Sequence, residues 1–443
     1  MGSATFFVDL TNEKGTFHAE TKTVDTVVRE LQPTFDVLTS QGESTEDDPR
    51  IPDGPFNTEP DSYKPFSDLL NKIITIANCH ISIKQSPLRG LRFYPFAREV
   101  MDIYGSKNPL KPDIVGIIGE LPLNPLFEET AGNSGKRPAK GSRFNLTWGQ
   151  IEVSVESKDN VRKMVRQSAT YARSCYLSKQ RRFFSLGIGF QYKSKEAYIF
   201  VYHHGGLSSS HPMKITTLDG FNDLVKHIVG ILSIKDEPAY GLDPTRFGDL
   251  FCINDRCYKS LRYIYVRGNF RGRSTIVHGL EGMYMRILGA GLHLFIAYPA
   301  VDDIQGHNME SRTLTLAEGV EILPDKLIYK LTYQVKGKSQ EGPLFSQFYG
   351  QFGICDVIGF YTCEAEDPHG STSRLFNDAQ YWDVFERKSL PEDNSSSPEP
   401  EDRGLQCIAF SGEGRAFLDS KTEGGIPSPG DLLESILHAI IGE

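Results

Sequence analysis

Residues 151–173, IEVSVESKDNVRKMVRQSATYAR, constrain the fold more than any other stretch of this chain. The first eight residues alternate apolar and polar side chains, which is typical of a β-strand and places Ile151, Val153 and Val155 on one face. The residues that follow have the spacing of an amphipathic helix. A strand that runs directly into a helix is a building unit of α/β folds, so the stretch predicts a sheet covered by helices.

Helix and strand patterns alternate over residues 63–247, which predicts an α/β or α+β domain on a mixed sheet. From 255 to 443 the patterns are mainly strands, with a short helix, a Ser/Pro-rich linker and a final helix at 431–443. Residues 1–62 hold one helical pattern and an acidic stretch, and we expect them to form a peripheral arm and linker. A chain of 443 residues exceeds what one core usually serves, so two domains are expected.

Composition limits the class of protein. The net charge of −9 is unlike that of a protein that coats nucleic acid through its overall charge. The 7 cysteines include no Cys-x-x-Cys pair, so reduced thiols in the cytoplasm or nucleus are expected, with Cys252 and Cys257 structural rather than zinc ligands. No signal peptide is expected, because no basic, apolar and small-residue segment opens the chain. No membrane span is expected either, because the most apolar stretch, 283–301, contains Arg286 and His293.

Basic residues are concentrated in one segment, where eight of them face a single acid, Asp159. They are Lys158, Arg162, Lys163, Arg166, Arg173, Lys179, Arg181 and Arg182. Lysine and arginine side chains on one element provide the phosphate contacts that hold nucleic acid. The basic helix within residues 158–182 is therefore a candidate nucleic-acid surface.

A candidate site lies at the end of the strand that opens residues 151–173. Alternation places Glu156 and Lys158 on one face, with Glu152 expected to be a solvated neighbour. Upstream, Asp113 begins a β-branched run that predicts another strand. If the two strands are adjacent, Asp113 and Glu156 can hold one Mg²⁺ or Mn²⁺ ion, which polarises a phosphate and lowers the pKa of a bound water.

Lys158 would offset the charge that develops on the phosphate, so the pattern predicts phosphodiester hydrolysis. On the helix, Gln167 and Tyr171 are four residues apart and are placed to touch the same site. The alternative is an exposed Glu–Lys ion pair worth less than about 1 kcal/mol.

PDIVGI followed by VESK resembles the PD-(D/E)XK nuclease motif, and QSATY resembles the Gln-x-x-x-Tyr helix of its RecB-like branch. The resemblance implies metal ligation by Asp113 and Glu156, a catalytic role for Lys158, and support of the substrate or site by Gln167 and Tyr171. The family often has an additional acid on an earlier helix. Glu99, in FAREVMDIYG, is the candidate for that role. By contrast, we expect His203, His204 and His211 to be solvent-exposed imidazoles at a strand end rather than metal ligands.

The second half contains a possible nucleotide site. Gly268 and Gly272 precede a β-branched run and predict either a hairpin that covers phosphates or an ordinary turn. Downstream, Lys330 lies in a strand pattern and Glu341 begins the next helix. This is the order of the nucleotide-binding lysine and its helix partner in protein kinases, where their ion pair orients the lysine toward the phosphates.

Several separated motifs together resemble fungal-type protein kinases, in which a nuclease-like region precedes a divergent kinase domain. They are QSATYARSCYLSKQRRFF, YGLDPT, GRSTIVHG, IYKLTYQVKGKSQE and PSPGDLLESILHAIIG. The resemblance implies a PD-(D/E)XK nuclease-like domain at 63–247, followed at 255–443 by a kinase-like N-lobe that lacks most of the C-lobe. It also implies ATP as a ligand, and the residues expected at the nucleotide are Gly272, Ser274, Thr275, Val277, Lys330 and Glu341.

The chain departs from the kinase pattern. Ser274 stands where the family has glycine, and either an insertion or a mis-spliced segment is implied near 285–325. No His-Arg-Asp loop or Asp-Phe-Gly motif follows the final helix before Glu443, so phosphotransfer is not expected. The apolar face of that helix would be uncovered, which favours self-association. Three functions follow from the sequence: a kinase-family protein without phosphotransfer, a metal-dependent nuclease, and a non-enzymatic interaction module.

Overall fold

The structure is a computed structural model of the 443-residue chain. It describes residues 21–40, 56, 58–81, 86–100, 110–122, 146–179, 182–204, 206–234, 236–238, 240–266, 275–283, 310–335, 340–347, 356–363 and 403–411. The described residues divide into two compact units between Leu242 and Asp243, where the sequence placed domains at 63–247 and 255–443. Both units combine strands with helices, so the mixed α/β class expected from the sequence is confirmed.

The described part of the first unit contains four helices and seven strands. The helices are α1 (Thr21–Ser40), α2 (Glu59–His80), α3 (Val161–Ser178) and α4 (Leu218–Leu232). The strands are β1 (Leu91–Pro95), β2 (Ile114–Ile118), β3 (Ile151–Lys158), β4 (Phe184–Gln191), β5 (Glu196–His203), β6 (Gly206–Ser209) and β7 (Met213–Lys214). A short 3-10 turn, Trp148–Gln150, leads into β3.

The seven strands of the first unit form one mixed sheet. Strands β1 to β6 are neighbours in sequence order, and β7 pairs with β5. Strands β3 and β4 are parallel, whereas the other neighbours are antiparallel. Parallel neighbours need a crossover connection, and α3 provides it. The strand-to-helix stretch at 151–173 is the first half of this crossover.

Strand β3 is buried on both faces, and its three apolar residues do not share one face as alternation predicts. Val153 and Val155 belong to the core under α1, α2 and α4, whereas Ile151 belongs to the core under α3. The cause is a β-bulge: Gly116 pairs with Val153 but Ile117 pairs with Ile151. One extra residue in β3 turns Ile151 to the face opposite Val153.

Helix α1 differs from the peripheral arm expected for residues 1–62. Val27 and Leu31 are fully buried in the core that α2 and α4 share. The ring centroid of Phe35 lies 5.3 Å from that of Phe221 on α4. The local sequence of α1 did not show that it belongs to the core, because burial of α1 requires its packing against α2 and the distant α4.

The described part of the second unit is mainly β-structure. Its strands are β8 (Arg246–Phe247), β9 (Leu250–Ile253), β10 (Arg256–Val266), β11 (Ile276–Met283), β12 (Thr315–Leu316), β13 (Lys326–Val335), β14 (Val357–Thr362) and β15 (Arg403–Phe410). They form one antiparallel sheet in the order β12-β14-β15-β13-β11-β10-β9-β8. The helix α5 (Glu341–Ser346) lies between β13 and β14 in the chain.

Strand β15 was not predicted from the sequence. It lies between β13 and β14, with Cys407 opposite both Leu331 and Tyr361. The final helix at 431–443 and residues 285–309 of the expected insertion lie outside the described residues. None of the helices described is long and apolar enough to cross a membrane.

Candidate functional site

Asp113 and Glu156 are brought together by the antiparallel pairing of β2 with β3. Ile114 lies opposite Val155, and one residue further the same register sets Asp113 opposite Glu156. Directly opposed side chains in an antiparallel pair have Cβ atoms about 4.5–5.5 Å apart. The two acids predicted to share a site are therefore neighbours.

The Asp113 carboxylate is nearly buried, with 5% of the residue exposed. Its Oδ2 accepts a hydrogen bond from the backbone N–H of Ser157 at 2.9 Å and lies 3.4 Å from Lys158 Nζ. Burial raises the pKa of Asp113, and the nearby charge of Lys158 and the Ser157 N–H only partly oppose this rise. The negative charge of Asp113 is therefore incompletely compensated.

Glu156 is completely buried. Lys158 Nζ lies 2.7 Å from its Oε1 but not in hydrogen-bonding geometry, and neither carboxylate oxygen has a hydrogen-bond partner among the described residues. Burial, followed by the negative charge of Asp113, raises the pKa of Glu156 to about 8. Glu156 is thus buried beside one ammonium group that it shares with other acids, and its carboxylate form would be stabilised by a further positive charge.

Lys158 lies among three carboxyl groups. Its Nζ is 2.6 Å from Glu59 Oε1, 2.7 Å from Glu156 Oε1 and 3.4 Å from Asp113 Oδ2. We call these four residues the Lys158 cluster. Burial acts to lower the pKa of Lys158, but the charge of Glu156 and the hydrogen bonds to the carboxylates raise the pKa overall. Lys158 is therefore an ammonium group at neutral pH, and three acids face one cation.

Glu59 is the acid that the sequence analysis missed. It lies in the first turn of α2, where the Thr58 side chain accepts a hydrogen bond from the backbone N–H of Asp61 and caps the helix. Its Oε1 also accepts a hydrogen bond from the Tyr63 hydroxyl at 3.1 Å. Thr58 followed by Pro60 is a helix-start signal that could have placed Glu59 on a helix. Its acidic, Pro-rich surroundings led instead to the interpretation as a linker.

Two more residues of α2 hold the helix against the site. The Oγ atoms of Ser62 and Ser157 are 2.8 Å apart and buried. Burial raises the pKa of Tyr63, and the adjacent Asp113 and Glu59 raise it further. The Tyr63 hydroxyl therefore stays protonated and remains a donor. The first turn of α2 is part of the site.

Glu99 does not take the role expected for it. It lies in the irregular segment after β1 rather than on a helix, and its side chain is exposed. Its Oε1 is 3.4 Å from Lys111 Nζ at the surface. Glu59, from a helix earlier in the chain, is the additional acid that contacts Lys158.

Gln167 and Tyr171 support the backbone that carries Asp113. Tyr171 is fully buried, and its ring stacks on Trp148 with centroids 5.4 Å apart. Its hydroxyl donates to the carbonyl oxygen of Lys111 at 2.8 Å and accepts from Gln167 Nε2 at 2.6 Å. Since Lys111 is two residues before Asp113, Tyr171 is a positioning residue for the carboxylate.

Glu152 is not the solvated neighbour expected from strand alternation. It is 9% exposed, and its Oε2 accepts hydrogen bonds from Arg182 at 2.6 Å and from the Tyr240 hydroxyl at 3.0 Å. Its Oε1 pairs with Lys179. Burial acts to raise the pKa of Glu152, but Arg182 and then Lys179 lower it overall. Lys179 and Arg182 thus neutralise a structural acid and are not available to bind phosphate.

The remaining basic residues of α3 form an exposed surface. The exposed ones are Arg162, Lys163, Arg166 and Arg173. At 100° per residue, Arg162, Arg166 and Arg173 lie within about 40° of one another around the helix. Arg181 lies outside the described residues. The basic surface of α3 is therefore narrower than the sequence predicts, but its cations share one face.

Two of the three histidines expected to be solvent-exposed are buried, and the third is exposed as expected. His203 and His204 are buried, whereas His211 is exposed. His203 Nε2 is 3.3 Å from Ser208 Oγ, and burial lowers the pKa of His203 to about 3. In the described ranges, no three carboxylate, imidazole or thiol groups are arranged to hold a metal ion as the chain stands. In the Lys158 cluster, the Lys158 ammonium contacts the three acids directly.

Lys330 and Glu341 form an ion pair in the second unit. Lys330 lies on β13 opposite Val277 of β11, and Glu341 is the first residue of α5. Both side chains are about four-fifths buried, with 22% and 17% exposed. The structure thus pairs the lysine and glutamate that the sequence selects as nucleotide-binding residues.

The other predicted nucleotide contacts are only partly described. Thr275 is described, and its Oγ1 lies 3.2 Å from Thr332 Oγ1. Gly272 and Ser274 lie outside the described residues.

Comparisons of the chain with protein-family models, with curated proteins and with solved structures found no match. Its function must therefore be argued from the Lys158 cluster and the Lys330–Glu341 pair.

Proposed function

We propose that the first unit is a metal-dependent nuclease that hydrolyses phosphodiester bonds at the Lys158 cluster. The observation that carries the proposal is the contact of one lysine with the acids Glu59, Asp113 and Glu156. Perturbed carboxyl groups that converge on a lysine are typical of catalytic sites. The resemblance to the PD-(D/E)XK motif selects Asp113, Glu156 and Lys158 independently of these contacts.

In this proposal the ion would be Mg²⁺ or Mn²⁺. Both ions prefer carboxylate oxygens, and Asp113 and Glu156 would hold the ion, with Glu59 nearby. Three acids share the single ammonium group of Lys158, and the pKa of Glu156 is raised to about 8. A divalent cation would supply the missing positive charge. When bound, it polarises a phosphate oxygen and lowers the pKa of a bound water.

The protein residues have distinct roles in this proposal. Lys158 is protonated, so it offsets negative charge on the phosphate rather than removing a proton. Tyr171 acts through the Lys111 carbonyl to position Asp113, and Gln167 holds the Tyr171 hydroxyl. These contacts keep the acids in place before substrate binds.

The exposed face of α3 favours nucleic acid as the substrate class. Arg162, Arg166 and Arg173 lie along one side of the helix that follows β3, and Lys163 lies beside them. Arginine and lysine bind backbone phosphates without regard to base sequence. Cations along one helix face thus suit a polymer of phosphodiesters better than a small phosphate ester.

Divalent-metal-dependent cleavage of single- and double-stranded DNA and RNA tests the proposal. Asp113→Asn, Lys158→Ala and Glu59→Gln are expected to lower the rate, whereas Glu99→Gln should leave it unchanged. Glu99 is the matched control because it is an acid of the same unit that lies outside the cluster. Cleavage that is indifferent to both Asp113→Asn and Lys158→Ala would overturn the assignment. Nucleic-acid binding without turnover would favour the non-enzymatic interaction module.

A second function, nucleotide binding by the second unit, is favoured by the Lys330–Glu341 pair. In protein kinases the same pair orients a lysine toward the α- and β-phosphates of ATP. The Lys330–Glu341 pair also supports the proposal that the chain is related to fungal-type protein kinases but does not transfer phosphate. ATP titration should show weaker binding to Lys330→Met than to Lys326→Met, since Lys326 is an exposed lysine of the same strand. Equal affinity of the two variants would refute nucleotide binding through Lys330.

A further inference from the structure

Cys252 and Cys257 lie opposite each other in the hairpin formed by β9 and β10. Asn254 and Asp255 form its turn, with φ angles of 46° and 59°. Positive φ at both central residues is typical of a two-residue type I′ turn. A two-residue turn fixes the register of the hairpin, and Cys252 and Cys257 form the second residue pair after the turn.

Backbone hydrogen bonds show which kind of pair the cysteines form. The N–H of Cys252 donates to Thr245 O at 2.9 Å, and its carbonyl oxygen accepts from Arg312 N at 3.0 Å. Both groups therefore point away from β10, so Cys252 and Cys257 form a non-hydrogen-bonded pair. The Cα atoms of such pairs are about 4.5 Å apart, within the range of about 4.4–6.8 Å that disulfides require.

The two thiols also contact each other. Their Sγ atoms are 3.9 Å apart, the Cys257 thiol donates to Cys252 Sγ, and both cysteines are reduced. This hydrogen bond lowers the pKa of Cys252 and, with burial, raises that of Cys257. Cys252 is therefore the thiol that ionises first. A disulfide requires the sulfurs to approach to about 2.0 Å, which a small side-chain rotation can provide.

We propose that Cys252 and Cys257 are a modification site at which a hydroperoxide forms a cross-strand disulfide. The Cys252 thiolate attacks a peroxide oxygen and breaks the O–O bond. It becomes a sulfenic acid, and the released oxyanion takes up the proton that Cys252 lost. The Cys257 sulfur then attacks Cys252 Sγ, and the sulfenic oxygen leaves with the Cys257 proton as water. The two thiols lose two electrons, and the peroxide is reduced to one alcohol or water and one further water.

Burial selects a small oxidant. Cys252 and Cys257 are 0% and 2% exposed, so a bulky disulfide reagent has no direct access to them. Hydrogen peroxide is close to water in size. The strand beyond β9 is β8, which has only two residues, and a short edge strand favours local opening of the hairpin. Cys79 is exposed and serves as an internal reference for reagent access.

The test treats the reduced full-length chain with hydrogen peroxide, then alkylates the remaining thiols in denaturant and maps the peptides by mass spectrometry. The expected product is a Cys252–Cys257 link that lacks two hydrogens and returns to two alkylated cysteines after reduction. Cys79→Ser should form the same link. Recovery of both cysteines as alkylated thiols after Cys79 is completely oxidised would overturn the proposal.

Dimedone, which labels sulfenic acids, tests which cysteine attacks the peroxide first. In Cys257→Ser the sulfenic acid cannot be resolved, so dimedone is expected to label Cys252. In Cys252→Ser, dimedone labelling of Cys257 is expected to be much weaker. Stronger labelling of Cys257 in Cys252→Ser than of Cys252 in Cys257→Ser would contradict the assignment of Cys252 as the attacking thiolate. The wild-type peptide map tests the disulfide itself and does not require either variant to fold.

Discussion

Replacing Glu156 with glutamine is expected to stabilise the first unit when no divalent cation is present. The pKa of Glu156 is raised from its ordinary value of 4.5 to about 8. Between these values the folded chain holds a proton that the unfolded chain releases, so the free energy of unfolding decreases as pH rises through this window. Each pH unit costs about 1.4 kcal/mol.

Glutamine keeps the size and polarity of the side chain but cannot ionise. Relative to the wild type, Glu156→Gln should gain about 2 kcal/mol at pH 6 and about 4 kcal/mol at pH 8. Mn²⁺ should stabilise the wild type more than the variant, because only the wild type has the full set of carboxylates for the ion. Glu156 would then lower the stability of the metal-free chain.

Glu152 provides a control of opposite sign on the same strand. Burial alone would raise its pKa, but Arg182 and Lys179 lower it, so its contribution to stability is present above the ordinary glutamate pKa and lost in acid. Glu152→Gln leaves the guanidinium of Arg182 buried without its charged partner. We expect a loss of about 3–5 kcal/mol near neutral pH.

Urea denaturation at pH 6 and pH 8 with a chelator present measures both effects. Trp148 is buried in the first unit beside Tyr171, so tryptophan fluorescence includes a signal from its unfolding. A Glu156→Gln variant that is less stable than the wild type at pH 8 would refute the reasoning. So would a gain that is the same at both pH values.

Three further changes test the packing of the first unit. Gly116→Ala would place a Cβ atom 2.7 Å from Phe93 Cε1, so thermal unfolding should show a loss of about 1–3 kcal/mol, and wild-type stability would refute this contact. Tyr171→Phe removes the hydrogen bond to Lys111 O and should cost about 1–3 kcal/mol together with a lower cleavage rate, whereas unchanged values for both would exclude a positioning role. Burial lowers the pKa of His203 from 6.5 to about 3, so the free energy of unfolding should decrease as the pH is lowered between these values, by up to about 1.4 kcal/mol per pH unit. In acid denaturation His203→Asn should reduce this slope, and an unchanged slope would contradict the prediction.

Much of the secondary structure could be predicted, because alternation and helical spacing are properties of consecutive residues. The strand at 151–158 and the helix after it were expected within a few residues of their observed bounds. Asp113 and Glu156 could be selected for the same reason, since each lies at the end of a local strand pattern. Their adjacency required only that these two strands pair.

Other features depended on partners far along the chain. Strand β15 follows a linker pattern and becomes a strand only between β13 and β14. Glu152 looked like a solvated residue, and Arg182 and Tyr240 bury it. The β-bulge at Glu152 then moved Ile151 to the other face, which strict alternation cannot foresee.

Local patterns in the sequence were enough to predict β3, α3 and the acids and lysine at the end of β3. The contact of Lys158 with Glu59 instead of Glu99 depends on packing, because it joins residues 99 positions apart in the chain. The physical reason is that local patterns specify which face a side chain occupies along its own element. Which element packs beside that face depends on the burial of the whole core, which joined the first turn of α2 to the end of β3.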